Sequence, residues 1–311
     1  MEFFLSAPFD QTFATSKHYF HHSVPNKPLC AVMHDKCVVR PERDQCYLIL
    51  KGEVAGDKNL ARQRLSVLNN DNAKMAAGRI TQTGTNMHLI EGQEINEVIR
   101  HCASLFDEFK PRTWDQGQDE AQLEVVRDEY TEVLRNAIKG VEAAHKQLGL
   151  NRIEGESEIF ASLPGLKLKY SGFPDFSQRV ELKTKWSSVS DKTKSGKRAT
   201  SLPATPDWSH VWQVAGYWHG TGLPQTIVYA NAREYRVFNS QNCERLTDES
   251  MAAALNMMIA KLAVRENLLE ITKGKSIQDM LRLIEPDFSH HWAWDMHPAI
   301  VEQAKHLWGV K

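Results

Sequence analysis

Two acidic residues and a lysine near the middle of the chain have the spacing of a metal-dependent phosphodiesterase site. Asp175 ends a Gly-Phe-Pro-Asp run, and Glu181 and Lys183 follow after five intervening residues. Carboxylate oxygens at such a place suit Mg²⁺ or Mn²⁺, which are hard cations that keep several waters. The ion would lower the pKa of water and neutralise charge on a scissile phosphate, while Lys183 holds or polarises the nucleophile.

Strand-like sequence surrounds these residues and must position them. Residues 166–176 and 180–186 alternate in a period-2 pattern with a short polar turn between them, which predicts a β-hairpin. In the second strand, this period places Glu181, Lys183 and Lys185 on one face. The aspartate at the end of the first strand is then expected to reach the same place.

These residues resemble the PD-(D/E)xK nuclease superfamily, and three further motifs resemble its RecB-like branch. A GTxxH segment ends at His88, Glu158 stands where that branch carries a glutamate before the catalytic hairpin, and Gln213 and Tyr217 match QxxxY. The motifs occur in the order of that branch over roughly residues 80–240. The chain is similar in this respect to the mitochondrial genome maintenance exonuclease and, more distantly, to lambda exonuclease.

The resemblance implies a divalent-metal-dependent DNA exonuclease with a defined set of site residues. The implied metal ligands are four side chains and one backbone carbonyl: His88, Glu158, Asp175, Glu181 and Leu182. Lys183 is implied to activate water for in-line attack, and Gln213 and Tyr217 to orient that lysine or contact the DNA backbone. Spacing does not choose between Glu158 and Glu156, which share a strand face, and Glu158 is preferred.

A basic segment follows the predicted catalytic strand at residues 187–206. It is rich in Ser, Thr, Gly and Pro, and its basic residues are Lys192, Lys194, Lys197 and Arg198. A segment of this composition buries too little apolar surface to fold alone. It is either a solvated surface loop or a flap that grips phosphates, and its place between Lys183 and the QxxxY helix favours the flap. We expect these side chains and Lys185 to bind DNA independently of sequence and in a salt-sensitive way.

The composition of the chain sets limits on its partners. Of 311 residues, 41% are hydrophobic and 25% charged, which is typical of a globular protein. The net charge is −1, so DNA contact must come from a local basic patch. No apolar run approaches the length of a membrane span, and the N-terminus lacks the pattern of a signal peptide. We therefore expect no membrane partner and a cytoplasmic location, which for a phage-encoded protein is the host cytoplasm.

The cysteines do not form a metal-binding pattern. The five cysteines are scattered without a CxxC pair, so a zinc ribbon is not expected. Some RecB-like nucleases hold an iron–sulfur cluster through one cysteine before the core and three after it. Only Cys243 follows the core here, so no such cluster is expected and reduced, buried thiols are the preferred interpretation.

Helical and strand patterns alternate along the chain and predict an α/β fold. The resemblance implies a restriction-endonuclease-like core with a mixed central sheet flanked by helices. Helices are predicted from Thr85 to about Phe109, with His88 near the start, and over 118–148, 208–219, 248–272, 276–284 and 298–308. Strands are predicted over about 153–163, 166–176 and 180–187, with a strand pair at 225–238.

The chain is expected to form one structural domain with three parts. These are an N-terminal embellishment, the nuclease core and C-terminal helices packed on that core: 1–80, 81–245 and 246–311. The preference for exonuclease over endonuclease rests on the resemblance, because no sequence feature senses a DNA end.

An endonuclease of the same superfamily and a non-catalytic DNA-binding protein on a nuclease scaffold are the alternatives. The scaffold reading is disfavoured because each motif position keeps a competent residue type. The expected substrate is linear DNA, single- or double-stranded. The expected roles are recombination, end processing or DNA recycling, bacteriophages included, with a recombination protein as a partner.

Overall fold

The computed structural model describes most of the chain from residue 72 to residue 272. The described residues are 19–21, 49, 52, 55–59, 72–109, 116–193 and 196–272, with short pieces at 282–283, 285–289, 301–302, 305–306 and 308–310. The predicted helices near 276–284 and 298–308 therefore lie largely outside the described residues, as do Lys194 and three of the cysteines.

Five longer helices and eight strands make up the described part of the fold. The helices are α1 (Ala73–Leu89), α2 (Ile95–Glu108), α3 (Gln116–Gln147), α4 (Trp208–Thr221) and α5 (Asp248–Thr272). The strands are β1 (Tyr19–His21), β2 (Ile159–Ala161), β3 (Lys169–Gly172), β4 (Val180–Thr184), β5 (Ser188–Val189), β6 (Lys197–Arg198), β7 (Thr226–Ala230) and β8 (Tyr235–Phe238).

A mixed sheet of β4, β7 and β8 lies between two layers of helices. The central strand β7 pairs in parallel with β4 and antiparallel with β8. Along β7, Val228 and Ala230 pack with α3, whereas Ile227 and Tyr229 pack with α4 and α5. Because side chains alternate between the faces of a strand, a strand buried on both faces is apolar throughout. The predicted α/β class, with a mixed sheet flanked by helices, is confirmed.

Helices α1, α2 and α3 form their own apolar cluster beside the sheet. Asn72 caps the start of helix α1, because its side-chain oxygen accepts a hydrogen bond from the Met75 amide. The cluster is built from buried residues of all three helices and includes Ile80, Val98, Cys102, Phe106, Val126, Val133 and Leu134. The predicted boundary between residues 80 and 81 thus lies inside α1.

The single helix predicted from Thr85 to Phe109 is wrong, because the chain turns between α1 and α2. Gly92 has a φ of +72°, in the left-handed region that glycine enters without steric cost. Helix α1 has already ended at Leu89. His88 therefore lies in the last turn of one helix rather than near the start of another.

The predicted hairpin between residues 166–176 and 180–186 is also wrong. Strand β3 pairs with β1 and β2 in a separate mixed sheet, while β4 pairs with β7. The strand pairing between the two segments is limited to an isolated bridge between Phe176 and Val180. Pro174 has no N–H to donate to a ladder, and Ser177 and Gln178 take φ values of 49° and 57° in a tight turn. The strands therefore diverge at Asp175 instead of pairing.

Most of the other predicted elements agree with the structure, but the strand predicted over about 153–163 is reduced to the three residues of β2. The long helix predicted at 118–148 is α3, and Gly149 follows it with a φ of +65°. The helices predicted at 208–219 and 248–272 are α4 and α5, and the strand pair at 225–238 is β7 and β8. Thr247 accepts from the Ser250 amide at the start of α5. No described helix is long and apolar enough to cross a membrane.

The basic segment after β4 forms a small hairpin that is fixed to α3. Strands β5 and β6 pair antiparallel, and residues 194–195 lie outside the described residues. Gln122 of α3 donates to the Ser187 carbonyl at 2.8 Å and accepts from the Val189 amide at 3.2 Å. Contacts with α3 therefore fix the start of this segment, at Ser187 and Val189.

Candidate functional site

The alternation along β4 decides where the predicted catalytic residues lie. Val180 and Leu182 belong to the apolar cluster shared with α3. Glu181 and Lys183 alternate with them and therefore face the opposite side of the sheet, where α4 packs. Glu181 is 3% exposed, so a carboxylate is held almost entirely out of water.

Lys183 contacts both the neighbouring acid and helix α4. Its Nζ donates to Oε1 of Glu181 and, at 3.0 Å, to the side-chain oxygen of Gln213. The Nε2 of Gln213 donates to the same Glu181 oxygen at 2.6 Å. One carboxamide therefore bridges the acid and the lysine.

Tyr217 lies one helical turn after Gln213 and is joined to it. The Gln213 Nε2 donates to the Tyr217 hydroxyl at 2.6 Å, and that hydroxyl donates to the Phe173 carbonyl at 3.3 Å. The Tyr170 hydroxyl donates to the backbone carbonyl of Gln213 at 3.0 Å. Residues four apart share a face of a helix, and this face of α4 is tied to the strand that precedes Asp175.

Asp175 reaches the site through the divergence of β3 and β4. Its Oδ2 accepts from the backbone amide of Leu182 at 2.7 Å. Its Oδ1 accepts from the Nε2 of Gln82, in α1, at 2.8 Å. The same Gln82 nitrogen donates to Glu156 at 3.2 Å. A side chain of α1 thus links two acidic residues that the sequence placed in separate motifs.

The carboxyl groups of Asp175 and Glu181 are buried close enough to raise the free energy of their charged forms. Burial and the charge of Glu181 raise the pKa of Asp175 well above its usual value, although Lys183 and the Leu182 amide act in the opposite direction. Burial also raises the pKa of Glu181, against the opposing effects of Lys183 and Gln213, and Glu156 adds to the increase. Like charges that converge in a poorly solvated place disfavour ionisation. A bound cation would relieve this repulsion.

Lys183 is held as a cation by these carboxyl groups. Burial alone would lower its pKa, but Glu181 and Asp175 outweigh burial and the pKa is raised. Its side chain is 23% exposed, so part of it remains in contact with solvent. At neutral pH the lysine therefore supplies a fixed positive charge next to the acidic pair.

The donor set fits a hard divalent cation held by two carboxylates. The Oε2 of Glu181 is buried without a hydrogen-bond partner, which is costly unless a ligand occupies that position. Magnesium commonly uses one or two carboxylates and keeps several waters. Among the residues that the structure describes, no group of three or more His, Cys, Asp or Glu side chains is gathered for a metal. Asp175 and Glu181 are thus the two side chains that fit such an ion.

The structure does not bring His88 to this pair. Its Nδ1 lies 2.8 Å from the Gln93 carbonyl, in the turn after α1. Six residues separate it from Gln82, which is about 9 Å along a helix and about 120° around it. Packing explains the glycine of the GTxxH segment, because a Cβ on Gly84 would stand 2.8 Å from the sulfur of Cys102.

Glu158 lies apart from Asp175 and just before β2. Its Oε1 accepts from the Ser171 hydroxyl at 3.4 Å. Glu156, two residues earlier, shares Gln82 with Asp175 and contributes to the pKa of both central acids. Between the two glutamates that the sequence left open, the geometry places Glu156 closer to the site, against the preference for Glu158.

The predicted DNA-contacting residues lie along the edge beyond Lys183. Lys185 approaches Asp207 at 3.4 Å and lies over the Tyr229 ring. Lys197 lies 3.7 Å from Glu129 of α3. Lys192 and Arg198 are exposed on the β5–β6 hairpin, and Lys194 lies outside the described residues.

Sequence reasoning missed two residues of the site. Gln82 could have been found only by knowing which face of α1 meets the acids. His210 lies one turn before Gln213 on α4, a spacing that does place it on the same helix face. Burial, with Lys183 and Lys185 nearby, lowers the pKa of His210 to about 3. It is therefore neutral at physiological pH, and its Nδ1 lies 2.6 Å from the Tyr229 hydroxyl.

Comparison with known proteins does not assign this chain to a family. No protein-family model matches it, and no curated protein matches it. Among solved structures, the crystal structure of SSO0001 aligns with 60% of this chain and 84% of its own, at 17% identity and a TM-score of 0.25. Similarity at this level carries no argument about the fold or the function of this chain.

Proposed function

We propose that this protein is a divalent-metal-dependent deoxyribonuclease that hydrolyses phosphodiester bonds. The observation that carries the proposal is the convergence of Asp175, Glu181 and Lys183 on one side of β4, with a buried Glu181 oxygen that lacks a partner. Two acids and a lysine in this arrangement are suited to phosphoryl chemistry because the scissile phosphate carries negative charge. The resemblance of the motif order to RecB-like nucleases supports the same function.

Each residue of the site has a role in this proposal. Asp175 and Glu181 would hold Mg²⁺ or Mn²⁺, which supplies positive charge to the phosphate and favours deprotonation of the attacking water. Lys183 is a cation that donates hydrogen bonds, so it positions a nucleophile or stabilises charge that develops on the phosphate. Gln213 fixes the direction of the Lys183 ammonium group, and Tyr217 in turn fixes the Gln213 carboxamide.

The preference for exonuclease action comes from the resemblance to the RecB-like branch. An exonuclease of this kind would act on linear DNA in recombination, end processing or DNA recycling, with a recombination protein as a partner. The same site would serve an endonuclease, and the topology of the substrate separates the two. An exonuclease needs an end, so it degrades linear DNA and spares closed circles.

The test is degradation of end-labelled linear single- and double-stranded DNA, and of closed circular DNA, with Mg²⁺ or Mn²⁺. We expect the wild-type protein to degrade linear DNA, and Lys183→Ala to leave it intact. Lys139→Ala, which removes an exposed lysine of α3, is the matched control and should cleave like wild type. Cleavage of circles would identify an endonuclease. Tight DNA binding without cleavage of any substrate would support the non-catalytic scaffold.

A further inference from the structure

A polar cavity of about 350 Å³ opens beside Lys185, next to the proposed catalytic residues. It is lined by residues from helix α3, the end of β4, the β5–β6 hairpin with the chain after it, and the turn after β7. Among them are Glu129, Lys185, Lys197, Thr200 and Arg233. Small-ligand pockets occupy roughly 300–1,000 Å³, so this cavity has room for a nucleotide-sized group.

The charge of the cavity wall is predominantly positive. Three basic side chains, Lys185, Lys197 and Arg233, face one acid, Glu129. Glu129 is buried and already accepts from the Ser187 hydroxyl at 2.6 Å and from the Ser187 amide at 3.1 Å. Glu129 also lies 3.7 Å from the Lys197 Nζ, so it compensates one of the three basic groups and the wall keeps a net positive charge. Ligands with a negative charge match such a wall.

Acids outside the cavity weaken this charge only slightly. Asp207 approaches Lys185 at 3.4 Å, and Asp128 approaches Lys197 at 4.0 Å. Their side chains are 51% and 72% exposed, so water and salt screen both pairs. An anion that enters the cavity can contact Lys185 and Lys197 in place of these exposed aspartates.

The walls of the cavity are fixed before any ligand binds. The Asn231 side chain donates to the Thr200 carbonyl at 2.9 Å and accepts from the Arg233 amide at 2.8 Å. Asn136 of α3 donates to the Asn231 carbonyl at 2.9 Å. These bonds join the chain after β6, the turn after β7 and helix α3. A preformed site binds a charged group without the entropic cost of ordering its own backbone.

The position of Lys185 connects the cavity to the proposed reaction site. It follows Lys183 by two residues, which is about 7 Å in an extended strand and returns to the same face. Its backbone amide donates to the Ala230 carbonyl at 2.8 Å, so the pairing of β4 with β7 continues to this residue. A strand of nucleic acid that places one phosphate at Lys183 can therefore place a neighbouring phosphate here.

We propose that this cavity binds a phosphate group of the substrate strand adjacent to the scissile phosphate, with Lys185, Lys197 and Arg233 as its cationic contacts. The proposal rests on the proposed nuclease function. The shared chemistry is that of a nucleotide phosphate, which belongs either to a DNA strand or to a free mononucleotide. Arg233, outside every motif of the sequence, is the residue that the proposal adds.

The test measures binding of a fluorescent single-stranded oligonucleotide by anisotropy at several NaCl concentrations, with EDTA present so that no cleavage occurs. Each phosphate contact on a single strand contributes about 0.7 to the slope of log Kd against log salt. We expect Arg233→Gln and Lys197→Gln each to weaken binding and to lower that slope by about 0.7. Arg100→Gln, an exposed arginine of α2, is the matched control and should keep the wild-type slope.

The outcomes separate this proposal from the proposed function. If Arg233→Gln keeps the wild-type affinity and slope while the wild-type protein cleaves DNA, the cavity proposal is overturned and the nuclease stands. If Arg233→Gln lowers the slope but the wild-type protein cleaves no DNA, the phosphate site stands and the proposed nuclease function is overturned. A parallel titration with thymidine monophosphate decides whether the bound phosphate belongs to a DNA strand or to a free nucleotide. Binding as tight as that of the oligonucleotide, and lost in Arg233→Gln, would overturn the assignment to a strand in favour of a free nucleotide.

Discussion

The side-chain oxygen of Gln213 lies 3.0 Å from the Nζ of Lys183, and this contact joins helix α4 to strand β4 at the centre of the proposed site. The amide nitrogen of the same side chain donates to Glu181, so the orientation of the carboxamide is determined by its partners. A lysine side chain has four rotatable bonds and is seldom fixed by one contact. Two acceptors, one from the strand and one from the helix, define the direction of its ammonium group.

Replacing Gln213 with Ala should therefore lower kcat more than it changes KM. The lysine would lose one of its two acceptors and Glu181 one of its two donors, while the residues expected to hold the ion remain. We expect a fall of about 10- to 100-fold in kcat, the usual cost of losing a group that orients a metal site. Tyr217→Phe should cost less, because Gln213 keeps its bonds to Lys183 and Glu181. Steady-state kinetics on linear DNA compares the two variants. Equal losses of kcat would argue against a model in which Tyr217 acts on Lys183 only through Gln213.

Lys183→Ala should abolish cleavage and also destabilise the protein. The change leaves the buried Glu181 carboxylate without its cation, and breaking a buried ion pair typically costs about 3–5 kcal/mol. Urea unfolding should show this loss. Val98→Ala, a truncation of a fully buried side chain of α2, is a destabilising control in a different apolar cluster from the one that contains Val180 and Leu182. If that control also loses cleavage, instability rather than chemistry explains the effect of Lys183→Ala.

Asp175→Asn should abolish cleavage yet stabilise the metal-free protein at neutral pH. Folding raises the pKa of Asp175, so the folded state binds its proton more tightly than the unfolded chain does. The contribution to stability is then fully present below about pH 4, the unfolded value, and is lost as pH rises through the folded pKa. Above that pH the variant avoids the cost of a buried charge. Its side-chain oxygen can still accept from the Leu182 amide, while Gln82 turns its carboxamide oxygen toward the new NH₂ group.

Thermal unfolding in EDTA between pH 4 and pH 8 measures this effect. The melting temperature of Asp175→Asn should exceed that of wild type at pH 8, and the difference should shrink toward pH 4. A difference that is constant across this range would mean that the Asp175 charge is not the cause.

The sequence predicted the elements whose patterns are local and strong. Helix α3 carries its apolar residues at helical spacing over 32 residues, and β7 is buried on both faces, so both were predicted nearly at their observed bounds. The pairing of β4 could not be predicted in the same way. Its partner β7 lies more than 40 residues further along the chain, and the nearby β3 offered a shorter connection. The short connection between β3 and β4 favoured the prediction of a hairpin, whereas in the structure β4 pairs with the distant β7.

In the site, too, the contacts within one strand could be predicted from the sequence, and those between distant elements could not. Period 2 alone placed Glu181 and Lys183 together, because one strand carries both. The contact of Gln82 with Asp175 depends on how α1 is rotated and where it packs, which no spacing in the sequence encodes. The GTxxH segment drew the prediction to His88, whereas the structure shows Gly84 packed tightly against α2 and α3 and His88 beyond that contact.

Divalent metal should stabilise the wild-type protein and should not stabilise Asp175→Asn to the same extent. A ligand that binds the folded state alone stabilises it by about 2.7 kcal/mol at a concentration 100 times its Kd. Because Asp175 and Glu181 repel each other in the absence of a divalent ion, even beside Lys183, the wild-type melting temperature should rise with Mg²⁺ or Mn²⁺. Differential scanning fluorimetry measures this increase. Equal increases in the two proteins would place the ion elsewhere.

Gly216→Ala should destabilise the protein through the tyrosine beneath the site. A Cβ at Gly216 would stand 2.3 Å from Cζ of Tyr170 and 2.5 Å from its hydroxyl oxygen, so the fully buried ring must move. Overpacking of this kind typically costs about 1–3 kcal/mol. The Tyr170 hydroxyl donates to the Gln213 carbonyl, so a displaced ring also disturbs the helix turn that carries Gln213.

Gly117→Ala is the matched control for this change. Nothing lies within 4 Å of a Cβ at Gly117, near the exposed start of α3, and alanine favours a helix. Urea unfolding should therefore show Gly216→Ala less stable than wild type and Gly117→Ala equal or more stable. Because the clash lies next to the Gln213 turn, kcat should fall in Gly216→Ala at a temperature where it remains folded. Unchanged kcat there would mean that α4 absorbs the shift without moving Gln213 relative to Lys183.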